Sequence, residues 1–129
     1  MKTVLLVDAD IDFRSLVAAG LRAAQLQVAE AGTAAAAETT TVRIAIDLVV
    51  VDGQLPDGSG TAFIEKLRAR NRTVPIILIS AVSHDWQTLD RLTKELDVCQ
   101  VFHKPIKVGS SDVSVGGFEG VARRTPLSP

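Results

Sequence analysis

The sequence predicts an α/β domain, a three-layer, doubly wound, five-stranded parallel sheet covered by helices on both faces. Three observations carry this. Five short runs, Val4–Val7, Gln27–Ala31, Asp47–Asp52, Val74–Ile79 and Val98–His103, read as strands, and the stretches between them place apolar residues at helical spacing. The run at Val49–Val51 is apolar throughout rather than alternating, as a strand covered on both faces is. Strand and helix then alternate along the whole chain, the pattern of βαβ units.

The first run ends on Asp8, and a helix follows in which Phe13, Leu16, Val17, Gly20, Leu21 and Ala24 form the inner stripe. Asp10 is its expected N-cap, and Asp12 suits the positive end of the helix dipole. Gln27–Ala31 is a weaker strand. After the Gly32-Thr33 turn a helix is expected over Ala34–Ile44, weakened by the three threonines 39–41. The third strand, Asp47–Asp52, stops on a carboxylate and empties into a loop with Gly53, Pro56, Gly58 and Gly60. A helix from Ser59 to Arg70 turns Phe63, Ile64 and Leu67 inward. Val74–Ile79 tolerates Pro75 only at its entry. The helix Asp85–Leu96 carries Trp86, Leu89, Leu92, Thr93 and Leu96, and Val98–His103 closes the set.

With 129 residues, 47% of them hydrophobic, the chain can bury a core without disulfides or metal. A net charge of −1 with both signs interspersed gives no footprint for nucleic acid or an anionic membrane. The longest apolar stretch, Ile44 to Val51, is broken by Asp47 and falls short of the roughly 18 residues a bilayer span needs. The amino terminus is too short in apolar residues for a signal peptide, so the expected location is cytoplasmic. The single cysteine, Cys99, is expected to face the core, and with His84 and His103 it makes no zinc spacing.

Right-handed crossovers place the carboxyl ends of parallel strands on one edge, where α/β proteins bind their ligands. Asp8, Asp52, Ser80 and Lys104 each follow or end a separate run, so two acids, a hydroxyl and an ammonium should meet in one crevice. Asp8 and Asp52 offer oxygen ligands to a hard dication such as Mg²⁺. A phosphoryl group arriving there would find a nucleophilic carboxylate, and Lys104 and Ser80 to hold its oxygens.

Residues Val4–Asp8, Asp52-Gly53-Gln54-Leu55-Pro56 with Gly60, Ile79-Ser80-Ala81 and Lys104-Pro105 resemble the receiver domain of two-component response regulators, in order and at the family's spacings. The resemblance covers residues 1–107. It implies the flavodoxin-like strand order 2-1-3-4-5, with Asp52 as phosphoacceptor from the phospho-histidine of a sensor histidine kinase or histidine phosphotransfer protein. It also implies Mg²⁺ held by Asp8, Asp52 and the backbone carbonyl of Gln54, and a switch region at Ala81, Val101 and Pro105. No enzyme activity is expected beyond self-phosphorylation and autodephosphorylation.

Two positions depart from the family. Ala9 stands where a second acid usually follows the first, which weakens the metal site unless Asp10 substitutes. Val101 stands where an aromatic switch residue is common, and Phe102 beside it should point to the opposite face. Both departures favour an alternative, a degenerate receiver that binds partners without phosphorylation. A second alternative is a phosphatase of the haloacid dehalogenase type using Asp8, because Asp8-Ala9-Asp10 matches its Asp-x-Asp motif. A flavodoxin-like flavin carrier is the weakest reading, since Asp8, Asp10 and Asp12 would repel a phosphate. Residues 108–129 form a Gly/Ser-rich segment in which Gly109, Gly116, Gly117 and Gly120 oppose a full fifth helix. The expectation is a short or irregular helix, or a linker, with a homodimer formed if the tail covers an exposed sheet face.

Overall fold

The computed structural model describes residues 2–80 and 86–103. Its elements are β1 (Thr3–Val7), α1 (Ile11–Ala23), β2 (Gln27–Ala31), α2 (Ala34–Arg43), β3 (Leu48–Asp52), the two-residue strands β4 (Gln54–Leu55) and β5 (Gly58–Ser59), α3 (Gly60–Arg70), β6 (Ile76–Ser80), α4 (Trp86–Lys94) and β7 (Val98–His103). The main sheet is wholly parallel, in the order β2-β1-β3-β6-β7. Counting only its own five strands, this is the order 2-1-3-4-5, the flavodoxin-like arrangement. Strands β4 and β5 form a separate antiparallel hairpin in the loop after β3.

Alternation along the strands builds two cores. On one face Leu5, Val7, Val49, Val51, Ile76 and Leu78 pack under Ala37 of α2, Phe63, Ile64 and Leu67 of α3, and Leu92 of α4. On the other, Val4, Leu6, Leu48, Val50, Ile77 and Ile79 meet Val17, Ala18 and Leu21 of α1. Val101 joins the first core and Phe102 the second, so the two residues point to opposite faces as strand alternation requires.

Caps fix the starts of the first three helices. Asp10 accepts the Phe13 N–H, Thr33 the Ala36 N–H and Ser59 the Ala62 N–H. At the far side of the sheet, Arg68 is 8% exposed and donates to the carbonyls of Leu96, Asn71 and Asp97. Burial lowers its pKa below the usual guanidinium value. The chain entering β7 is thereby strapped to α3.

Several boundaries and faces differ from the sequence expectation. Helix α2 stops at Arg43, and Ile44 is already extended with 45% of its surface exposed. Asp47 precedes β3: it accepts the Thr3 N–H with its side chain and donates its own N–H to the Thr3 carbonyl, fastening the entries of β1 and β3. Val74 and Pro75 precede β6, which ends on Ser80. Leu16 is 37% exposed whereas Ala18 is buried, so the inner stripe of α1 runs through Val17, Ala18 and Leu21. Cys99 is exposed, contrary to its expected place in the core. The reason is local: Ile76 pairs with Val98 and Ile77 with Gln100, so Cys99 is an extra residue pushed out of the ladder.

Ala81, the residues before Trp86, Lys104, Pro105 and the segment 108–129 lie outside the described residues, and with them the expectations for the switch loop, the tail and the tail-mediated dimer.

Candidate functional site

Register decides which side chains meet. Val7 pairs with Val51, so Asp8 and Asp52, the next residue on each neighbouring strand, stand abreast at the carboxyl edge. Asp52 pairs in turn with Ile79, which sets Ser80 one step further along β6. Adjacent strands lie about 4.8 Å apart, so the residues that carry two carboxylates and a hydroxyl line up along one short stretch of the carboxyl edge. His103 pairs with Ser80, and Lys104 follows it outside the described residues.

The two acids sit in different surroundings. Asp8 is 1% exposed, and its Oδ1 accepts the Asp10 N–H at 2.9 Å. Its backbone is held from two further sides: the N–H donates to the Ala31 carbonyl at 3.0 Å, and its carbonyl accepts from Arg14 Nη1 at 2.6 Å. Arg14 also reaches Glu30 at 3.1 Å, which fastens the end of β1 to β2. Asp52 is only half-buried, and its Oδ1 accepts the Gln54 N–H at 3.1 Å. That bond turns the chain sharply after β3.

Glycines let the loop after Asp52 close over the strand end. The Gly60 N–H donates to the Gly53 carbonyl at 2.9 Å, and a Cβ on Gly60 would stand 2.1 Å from the Asp52 carbonyl oxygen. Only glycine permits that approach. The Gly53 N–H donates to the Ile79 carbonyl at 2.7 Å, and a Cβ on Gly53 would stand 3.5 Å from Ser80 Oγ, so the missing side chain leaves room beside the buried hydroxyl.

The oxygen donors suit a hard dication: Mg²⁺ takes one or two carboxylates and keeps several waters. Asp8 and Asp52, abreast at the strand ends, supply two carboxylates of that kind. Asp10, the other candidate, is exposed and its Oδ1 caps α1 at 3.1 Å from the Phe13 N–H. Ala9 adds no donor. Among the described residues no three His, Cys, Asp or Glu side chains cluster tightly enough to make a metal cage by themselves.

Two contacts near the site had no signal in the individual motifs. One is Arg14 beneath the end of β1. The other is Asp57 in the β4–β5 hairpin, whose two carboxylate oxygens accept the Ala34 and Ala35 N–H groups at 2.8 and 3.0 Å. Those two bonds lower its pKa below the ordinary carboxylate value. The clue lay in α2, which has no acid of its own in its first turn. A cavity of about 480 Å³, lined by Ile44, Ile46, Val49, Leu67, Arg70 and Val74, lies at the opposite, amino-terminal edge of the sheet, away from Asp52. Among the described residues no helix is long and apolar enough to cross a membrane.

Comparison with known proteins agrees with this geometry. The family model of the response regulator receiver domain matches residues 4–110. The chain is 35% identical over 79 residues to the probable transcriptional regulatory protein TcrX of Mycobacterium tuberculosis, an alignment that takes in 61% of this chain and 34% of that protein. It is 32% identical over 104 residues to the transcriptional regulatory protein RstA of Escherichia coli, covering 81% of this chain and 42% of that one. The chain thus spans well under half the length of these relatives. Among solved structures, the non-phosphorylated HemR receiver domain from Leptospira biflexa superposes with a TM-score of 0.83 at 25% identity, covering 100% of both chains. A two-component response regulator from Clostridium difficile gives 0.81 at 20% identity, covering 96% of this chain and 98% of that one.

Proposed function

Because the chain belongs to the response regulator receiver domain family of two-component signalling, we propose that it accepts a phosphoryl group on Asp52 from the phospho-histidine of a sensor histidine kinase or histidine phosphotransfer protein. The observation that carries this reading is the pairing of β1 with β3, which sets a buried Asp8 beside a half-buried Asp52 at the edge where Ser80 also ends its strand.

In the transfer, an Asp52 carboxylate oxygen attacks phosphorus as the phosphorus–nitrogen bond to the donor imidazole breaks. The imidazole leaves with the bonding pair, and Asp52 becomes an acyl phosphate. The Gln54 N–H donates to Oδ1 and orients the carboxylate for the attack. Asp8, buried and held by the Asp10 N–H and Arg14, would serve as a metal ligand rather than as the nucleophile. Mg²⁺ held by Asp8, Asp52 and the Gln54 carbonyl would neutralise charge on the phosphoryl oxygens. Ser80 hydrogen-bonds one of those oxygens, and Lys104 supplies a positive charge to another. The domain signals and has no separate substrate, and its proposed location is cytoplasmic.

Incubation with a small phosphodonor and Mg²⁺, followed by intact-protein mass spectrometry, tests the reading. The expected result is one added phosphoryl group on the wild type and none on Asp52→Asn. Ala9 favours a second reading, a receiver that works unphosphorylated, and no incorporation into the wild type would select it. Incorporation that survives Asp52→Asn would select a phosphatase-like use of Asp8.

A further inference from the structure

The first turn of α2 is built from pieces of both acid-bearing loops. A helix leaves its first N–H groups without intrahelical partners. Here Thr33 takes that of Ala36, and Asp57, 22 and 23 residues away, takes those of Ala35 and Ala34. The helix needs this help. Thr39 and Thr40 bond back to the carbonyls of Ala35 and Ala36, a habit that weakens helices, and α2 has no acid in its own first turn.

Asp57 in turn belongs to the loop that holds Asp52. It occupies the turn of the β4–β5 hairpin, whose first residue, Gln54, donates its N–H to Asp52 Oδ1. On its other side the β2–α2 corner rests against the Asp8 loop. Arg14 Nη1, bonded to the Asp8 carbonyl, lies 3.1 Å from where a Cβ on Gly32 would stand, and Ala31 accepts the Asp8 N–H. The start of α2 is clamped between the two strand ends that carry the site's carboxylates.

We propose that Asp57 is a positioning residue which couples the Asp52 loop to the first turn of α2, so that α2 reports the state of Asp52. The coupling rests on the reading of Asp52 as phosphoacceptor for its trigger, but the mechanical link exists without it. Its two states are the Asp57-capped and uncapped first turn. When the Asp52 carboxylate becomes an acyl phosphate, its oxygens lose the negative charge that the Gln54 N–H bonds, that bond weakens, the hairpin shifts, and Asp57 is drawn from the Ala34 and Ala35 N–H groups. Coupling of this kind is reciprocal, so uncapping α2 must also be felt at Gln54.

Residue-resolved amide exchange and chemical shifts test the link. In the unphosphorylated protein Asp57→Ala should speed exchange at Ala34 and Ala35 several-fold and shift the Gln54 amide resonance. Asp57→Asn, which keeps one acceptor, should restore part of both effects. In wild-type protein shown by mass spectrometry to be phosphorylated, exchange at Ala34 and Ala35 should rise in the same way, and in Asp57→Ala that further rise should vanish. Faster exchange at Ala34 and Ala35 with an unmoved Gln54 amide would overturn the coupling even if phosphorylation never occurs. Complete phosphorylation of the wild type with unchanged exchange at Ala34 and Ala35 would overturn it equally. Failure to incorporate phosphate would count against the acceptor role of Asp52 alone, because the unphosphorylated comparison still decides the link.

Discussion

The ends of β1 and β3 lie side by side and both carry an aspartate, yet they are built in opposite ways. At β1 the acid is buried, and the chain around it is pinned to β2 through Ala31 and Arg14. At β3 the acid is half-buried, and among the described residues the loop behind it is held by the Gln54 N–H on Asp52, by close backbone approaches at Gly53 and Gly60 and by the reach of Asp57 to α2. On the proposed reading the fixed end serves a ligand that must not move, and the other a group that reacts and then pulls its loop. One parallel register therefore sets the same side chain in two different surroundings.

Four substitutions or conditions probe that contrast. The largest effect is expected from Gly60→Ala, because the added Cβ meets the Asp52 carbonyl at 2.1 Å and the backbone of the loop must shift. Overpacking of this severity should cost about 3 kcal/mol and lower the denaturant midpoint accordingly. An unchanged midpoint would mean that the β3 end is as compliant in the resting protein as the loop is proposed to be after phosphorylation.

Next, Ala9→Asp adds an acid to the fixed end, and Mg²⁺ should bind about tenfold more tightly, ~1.4 kcal/mol, by titration. No gain would show that the existing donors and water already complete the coordination. Smaller again, Asp10→Ala removes the cap of α1 and should cost about 1 kcal/mol in thermal or denaturant unfolding while leaving Mg²⁺ affinity unchanged. Weaker Mg²⁺ binding in that variant would make Asp10 a ligand and the fixed end more adaptable than its bonds suggest.

The smallest effect is on pH. The Asp57 carboxylate is favoured by the Ala34 and Ala35 N–H groups, so its folded pKa lies below the unfolded one. Such a group contributes stability that is present above the unfolded pKa and is lost as pH falls through the folded value, a window below about pH 4. Protection of the Ala34 and Ala35 amides should fall in that window for the wild type and show no such step in Asp57→Ala.

What the residues disclosed in advance follows the same division. The five strands, the helices between them and the meeting of Asp8, Asp52 and Ser80 were legible because β-branched runs ending on polar residues leave few topologies open. The cap at Asp10 was legible because it is local. Asp57 was not, since its partners are 22 and 23 residues away and a Pro-Asp-Gly turn needs no partner to explain it. Arg14 was hidden for a similar reason, as its acceptor is a backbone carbonyl that any sequence would supply. Cys99 was misplaced because its apolar neighbours pointed to the core, whereas a one-residue irregularity in β7 pushes it out of the ladder. The missing acid at Ala9 was plain from the sequence, but its consequence depends on how Asp10 is used, and the structure commits Asp10 to α1.

The division of labour between the two aspartates is tested most directly by locating the phosphoryl group. Peptide mapping of wild-type protein after reaction with a small phosphodonor and Mg²⁺ should find it only on the peptide that contains Asp52, with Asp8→Asn slowing its appearance by weakening the metal site. A phosphoryl group on the peptide containing Asp8 would contradict the account.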